Sequence, residues 1–121
     1  MKKKFLGLVG ALEIEIKGTD QILLLELSGQ IDSYTAEEIK KILDSHIADG
    51  RLKVIIDLTN ITYLDSAGLG AIVNTKLKLT KKGGDLRLVG LKQKAKEIFD
   101  LAGFTSMFQI FDSHEDAFKD S

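Results

Sequence analysis

The segment from Lys53 to Leu58, Lys-Val-Ile-Ile-Asp-Leu, constrains this chain more than any other. Its apolar run offers no polar face to water, so it reads as an interior strand of a sheet covered on both sides. Helices must do the covering, and the flanking sequence supplies them. Ala36, Ile39, Ile42, Leu43 and Ile47 recur at helical spacing. Thr35 with Glu38 reads as a capping box before that run, and Gly50 as its stop. Leu69, Ile72, Val73 and Leu77 mark a second helix, which carries Lys76, Lys78, Lys81 and Lys82 late, where cations complement the helix dipole. Ala95, Ile98, Phe99 and Ala102 mark a third, closed by Gly103. Ser113 with Asp116 opens a short fourth around Ala117 and Phe118.

The remaining strands fall between these helices. Leu12-Glu13-Ile14-Glu15-Ile16 alternates with the period of a half-buried strand, and Ile22 to Leu27 is mostly apolar. Gly18-Thr19-Asp20 between them makes the pair a hairpin. Asp85 to Val89 and Phe108 to Phe111 complete the set. Strands alternating with helices give an α/β fold with a mixed, mostly parallel sheet of about five strands flanked by four helices. At 121 residues, with no linker or repeat, the chain is expected to be a single domain over 1–121, with residues 1–11 as an N-terminal arm. Lys2-Lys3-Lys4 before Phe5 to Leu12 has the outline of a signal peptide, but Glu13 and Glu15 follow at once without a small-residue cleavage site. No apolar run approaches the ~20 residues of a spanning helix.

Composition removes several functions. Lys+Arg 17 against Asp+Glu 18 gives no basic excess for nucleic acid. The chain has no cysteine, which excludes disulfides, thiolate metal sites and cysteine catalysis and fits a cytoplasmic protein. His46 reads as a partly buried helix residue and His114 as a helix-start residue without a partner, so no metal site follows from the two. Gly68-Leu69-Gly70 is half a dinucleotide fingerprint, with Val73 at the third glycine position. No P-loop occurs, nothing pairs a nucleophile with a base, and no cofactor is implied.

The informative residues are Asp65-Ser66-Ala67-Gly68-Leu69-Gly70, between the central strand and the second helix. In parallel sheets functional groups gather at the carboxyl ends of strands. Gly29 to Ser33 and Asn60 to Ser66 are the loops expected there. Ser66 reads as an N-cap facing the N–H groups of Gly68 and Leu69, a role worth ~1 kcal/mol against alanine and no evidence of function by itself. Gly68 and Gly70 each cost ~1 kcal/mol of helix propensity, which suggests close approach to the backbone. A helix entrance tolerates a phosphate well. Phosphoserine would add ~1.5 to 2 negative charges there, close to Asp65 and Asp32, and alter docking more than folding.

The run Val54 to Leu58 through Tyr63-Leu64-Asp65-Ser66-Ala67-Gly68-Leu69-Gly70 resembles the signature of the STAS domain, and more narrowly of bacterial anti-sigma factor antagonists. Gly29-Gln30-Ile31-Asp32 with Thr35-Ala36, Gly83-Gly84-Asp85-Leu86, and Phe99 to Phe104 match further landmarks, so the resemblance runs from about Glu13 to Phe118. It implies a STAS fold in which Ser66 is phosphorylated by an anti-sigma factor that is itself a serine kinase. The unphosphorylated form would bind that kinase and release a sigma factor, and a PP2C-type phosphatase would restore it. Ala67 stands where many relatives carry a second serine, leaving Ser66 as the hydroxyl of the motif. Asp32, Asp65, Ser66, Ala67, Gly68, Leu69 and Gly70 are the implied partner-binding residues, with Asp32 near the acceptor; Ser33 and Tyr34 stay unassigned. Neither nucleic acid nor a membrane is an expected partner.

Other readings compete. Stressosome and transporter-associated modules share the domain. A receiver domain phosphorylated on Asp57, taken as the end of the central strand, has similar topology but lacks an acid pair for Mg²⁺ and a late Lys-Pro. A weak nucleotide hydrolase remains an option because one fold serves many functions.

Overall fold

A computed structural model describes residues 2–119, so the outermost ends of the domain expected over 1–121 lie outside the described residues. The elements are β1 (Lys2–Val9), β2 (Leu12–Gly18), β3 (Ile22–Ile31), α1 (Ser33–Ala48), β4 (Lys53–Leu64), α2 (Ser66–Lys81), β5 (Asp85–Val89), α3 (Gln93–Ala102), β6 (Gln109–Phe111) and α4 (His114–Phe118), with a 3₁₀ turn at Thr105–Met107. They form one six-stranded sheet in chain order. β1, β2 and β3 are antiparallel, while β3 to β6 run parallel. The α/β fold with a mixed sheet and four helices agrees with the sequence reading. The residues read as an arm differ: Lys2–Val9 add a sixth strand on the edge, pairing with β2 through a register shift between Phe5 and Gly7.

The two faces of the sheet are covered unequally. Leu23, Leu25, Val54, Ile56, Leu86 and Leu88 point to the side where α1, α2 and α3 pack, and they form the larger core with Ile39, Leu43, Ile72, Leu79 and Phe99. Phe99 is fully buried and meets Phe108 edge-on, with centroids 5.5 Å apart. Leu24, Ile55 and Val89 point to the other side, where Ala117 and Phe118 of α4 cover them. Parallel strands in sequential order with right-handed crossovers place their connecting helices on one face, which leaves α4 alone on the second. Leu77, expected on the core stripe of α2, is exposed, and Leu79 is buried in its place.

Two strands run further than their apolar content indicates. β3 continues through Gly29 to Ile31, and β4 through Thr59 to Leu64, so both expected loops are mostly strand. Pairs Ser28–Asn60, Gly29–Ile61, Gln30–Tyr63 and Ile31–Leu64 extend the ladder, with register shifts that absorb the extra residues of β4. The consequence is positional. β3 and β4 end side by side, each followed directly by an aspartate and a helix.

Candidate functional site

The two helix entrances are built from the same start. α1 begins after Asp32 with Ser33-Tyr34-Thr35, and α2 after Asp65 with Ser66-Ala67-Gly68. Asp65 and not Ser66 is the N-cap of α2: its Oδ1 accepts the N–H of Gly68 at 3.0 Å. Both residue types cap well, and the chain uses the one already anchored to the sheet, where the Asp65 N–H donates to the Ile31 carbonyl at 3.2 Å. Ser66 is therefore the first helical residue, and both it and Ala67 are exposed. The correction frees the hydroxyl of Ser66 from capping.

The entrance of α1 is fastened more heavily. Asp32 Oδ1 accepts the N–H of Tyr34 at 3.1 Å and of Thr35 at 2.9 Å, while the Thr35 hydroxyl accepts the Asp32 N–H at 2.8 Å. This Asp32–Thr35 capping box replaces the expected Thr35–Glu38 box, because Thr35 is buried at the third helical position and its hydroxyl faces back to the cap. The N–H of Thr35 chiefly holds the Asp32 carboxyl below its ordinary range. Partial desolvation opposes that, and the Thr35 hydroxyl and Tyr34 N–H reinforce it.

Gly68 and Gly70 part ways. A Cβ on Gly68 would lie 2.5 Å from Ile31 Cγ2 and 2.6 Å from Leu64 Cδ1, so the close approach is by the chain's own core and not by an outside group. A Cβ on Gly70 would meet nothing within 4 Å. Leu69 is buried and belongs to the larger core. Of the seven implied site residues, Ser66, Ala67 and the open side of Gly70 face outward, Asp32 and Asp65 are half-buried caps, and Gly68 and Leu69 seat the helix. Outside the entrances, α1 and α2 flank a groove lined by Ser33, Glu37, Lys40, Ala67, Gly70 and Asn74, closed further along by Lys78 on Asp44 at 2.7 Å. The first turn of α2 carries no acidic residue, and its leading N–H groups lie beyond the reach of intrahelical acceptors.

The second face holds a cluster that sequence reasoning missed. His114, expected to lack a partner, places Nε2 2.6 Å from Asp57 Oδ2 and Nδ1 3.9 Å from Glu26 Oε1. Burial works against the Asp57 carboxylate, but hydrogen bonds from Thr59 and His114 outweigh it and hold the carboxyl below its usual range. Asp57 lies mid-strand, since β4 runs on to Leu64, and so has no place at a strand's carboxyl end. His46 is half-buried on α1, its Nδ1 3.4 Å from Arg51 Nη1.

A mixed sheet whose adjacent β3–α1 and β4–α2 junctions each present an exposed serine defines a class that comparison with known proteins identifies. The STAS domain family model matches residues 13–117. An anti-sigma-B factor antagonist from Listeria monocytogenes is 32% identical over 100 residues, covering 83% of this chain and 87% of that protein. The chain belongs to the STAS domain family and, within it, to the anti-sigma factor antagonists. An anti-sigma factor antagonist structure from Mycobacterium paratuberculosis superposes with a TM-score of 0.77 at 24% identity, over 88% of this chain and 90% of that one. The Bacillus cell fate determinant SpoIIAA in its phosphorylated form superposes with a TM-score of 0.72 at 19% identity, over 86% of this chain and 95% of that one. Among the described residues, no helix is long and apolar enough to cross a membrane.

Proposed function

We propose that this protein is a cytoplasmic partner-switching module and not a catalyst. In this reading its unphosphorylated form binds an anti-sigma factor with serine-kinase activity and so frees a sigma factor. Phosphorylation of Ser66 ends that binding, and a PP2C-type phosphatase reverses it. The observation that carries the proposal is the exposed Ser66 at the first position of α2, its hydroxyl not engaged by the cap that Asp65 already provides. A phosphate at this position adds ~1.5 to 2 negative charges beside the leading N–H groups of a helix, a favourable place for an anion. Asp65 and Asp32 flank it, so the added charge is poorly neutralised by the protein itself and is felt by whatever docks there. The phosphorylated form of the fold relative SpoIIAA supports a phosphate-controlled reading.

Partner contact is assigned to Ser66, Ala67 and Gly70 directly, with Asp32 and Asp65 holding the two helix starts and Gly68 and Leu69 seating α2. The single domain is proposed to act as one unit over 1–121. The test is incubation with host lysate and ATP followed by mass-spectrometric mapping. Phosphate on Ser66 in the wild type, absent in Ser66→Ala, supports the assignment; phosphate at another residue, or retained in Ser66→Ala, contradicts it.

A further inference from the structure

On the face of the sheet away from α1, α2 and α3, one cross-strand row concentrates negative charge. Glu15 pairs with Glu26 across β2 and β3, and Glu26 with Asp57 across β3 and β4. Neighbouring strands are ~4.8 Å apart, and like charges directly opposite one another destabilise a sheet. Lys17 answers part of this charge, pairing with Glu26 and, at 3.6 Å, with Glu15. The start of α4 brings His114 over the same row.

We propose that Glu26, Asp57 and His114 form a binding site for a first-row divalent metal ion of the zinc type. One ligand atom from each residue lies within 4.8 Å of the others. Metal–ligand bonds of ~2.1 Å put two ligands of a tetrahedral ion about 3.4 Å apart. An ion takes one nitrogen of an imidazole: Nε2, now 2.6 Å from Asp57 Oδ2, opens toward that separation, while Glu26 Oε1, now 3.9 Å from Nδ1 and paired with Lys17, turns to the same ion. One imidazole with two carboxylates suits zinc and its neighbours, whereas Ca²⁺ and Mg²⁺ prefer oxygen throughout. The side chains remain 35%, 27% and 15% exposed for His114, Glu26 and Asp57, so water can complete the coordination. Glu13, Glu15, Ser28 and Asn60 line the adjoining hollow and add to its negative potential. A bound ion ties α4 to β3 and β4, joining three segments far apart in sequence.

The test is calorimetric titration of the full chain with Zn²⁺, with the Co²⁺ visible spectrum as a second readout and circular dichroism as a check on folding. The expected result is one ion per chain, a rise in Tm with Zn²⁺, and affinity lowered at least about tenfold in both His114→Gln and Asp57→Asn. His46→Gln, on the opposite side of the sheet, keeps wild-type affinity. Should Asp57→Asn fail to fold, Glu26→Gln takes its place. Absence of binding at millimolar Zn²⁺, a loss smaller than tenfold in His114→Gln, or a loss confined to His46→Gln overturns the site.

Discussion

The entrances of α1 and α2 start alike and end differently. Both follow a parallel strand, both are capped by an aspartate, and both place a serine first. At the second position α1 has Tyr34, exposed and bulky, where α2 has Ala67. At the third, α1 has a buried threonine that fastens the cap from both sides, where α2 has a glycine pressed against Ile31 and Leu64. The first entrance is a closed clasp. The second is held by one side-chain hydrogen bond, with Ser66 and Ala67 exposed beside it. An Asp-Ser helix start thus occurs twice within a single chain with the serine exposed at both, and what differs is the neighbours, Tyr34 and a clasped Thr35 at one and Ala67 and Gly68 at the other.

That contrast can be broken experimentally. The largest expected effect is on docking: Ser66→Glu weakens binding to the anti-sigma factor by about 100-fold, close to 2.7 kcal/mol, while Ser33→Glu changes it much less, as isothermal titration would report. Equal losses in the two variants would erase the distinction between entrances. Next is Gly68→Ala, which destabilises by about 2 kcal/mol because its Cβ strikes Ile31 and Leu64. Gly70→Ala, with open space around it, stabilises by up to about 1 kcal/mol in urea denaturation. Asp65→Ala costs about 1 kcal/mol of cap, and Asp65→Asn recovers most of it.

Acid tests the entrance of α1 by itself. The folded-state pKa of Asp32 is lowered, so its contribution is present above the ordinary carboxylate pKa near 4 and is lost as pH falls through the lower folded value. Asp32→Asn keeps a capping oxygen but cannot titrate, so its stability falls less steeply than that of the wild type as pH drops below about 4. An unchanged slope would remove Asp32 from the acid response. The smallest effect is Ser66→Glu on folding itself, within about 0.5 kcal/mol, read as a Tm shift of a few degrees at most.

Much of this was legible in the residues. The apolar run at Val54–Ile56 demanded an interior strand, and the helical spacing of Ile39, Leu43 and Ile47 and of Leu69, Ile72 and Val73 located the helices that cover it. Asp65 to Gly70 stood out as well, because it combines a cap and glycines in a short run, and the structure places it at the start of α2. What escaped was set by pairing and not by composition. Thr59 to Tyr63 lack a continuous apolar face, yet join β4 because β3 offers a ladder alongside. The cap fell one residue earlier than expected because Asp and Ser are near-equal caps and a backbone bond to Ile31 chose between them. His114 meets Asp57 and Glu26 only through the packing of α4 on the sheet, which no local pattern encodes.

The account turns on Ser66 as a removable charge. The most direct measurement titrates the protein, unphosphorylated and then phosphorylated at Ser66, into the anti-sigma factor encoded in the same host. The account predicts tight binding of the first and a loss of about 100-fold or more in the second, with nearly the same Tm for both. Equal affinity in the two forms would contradict it.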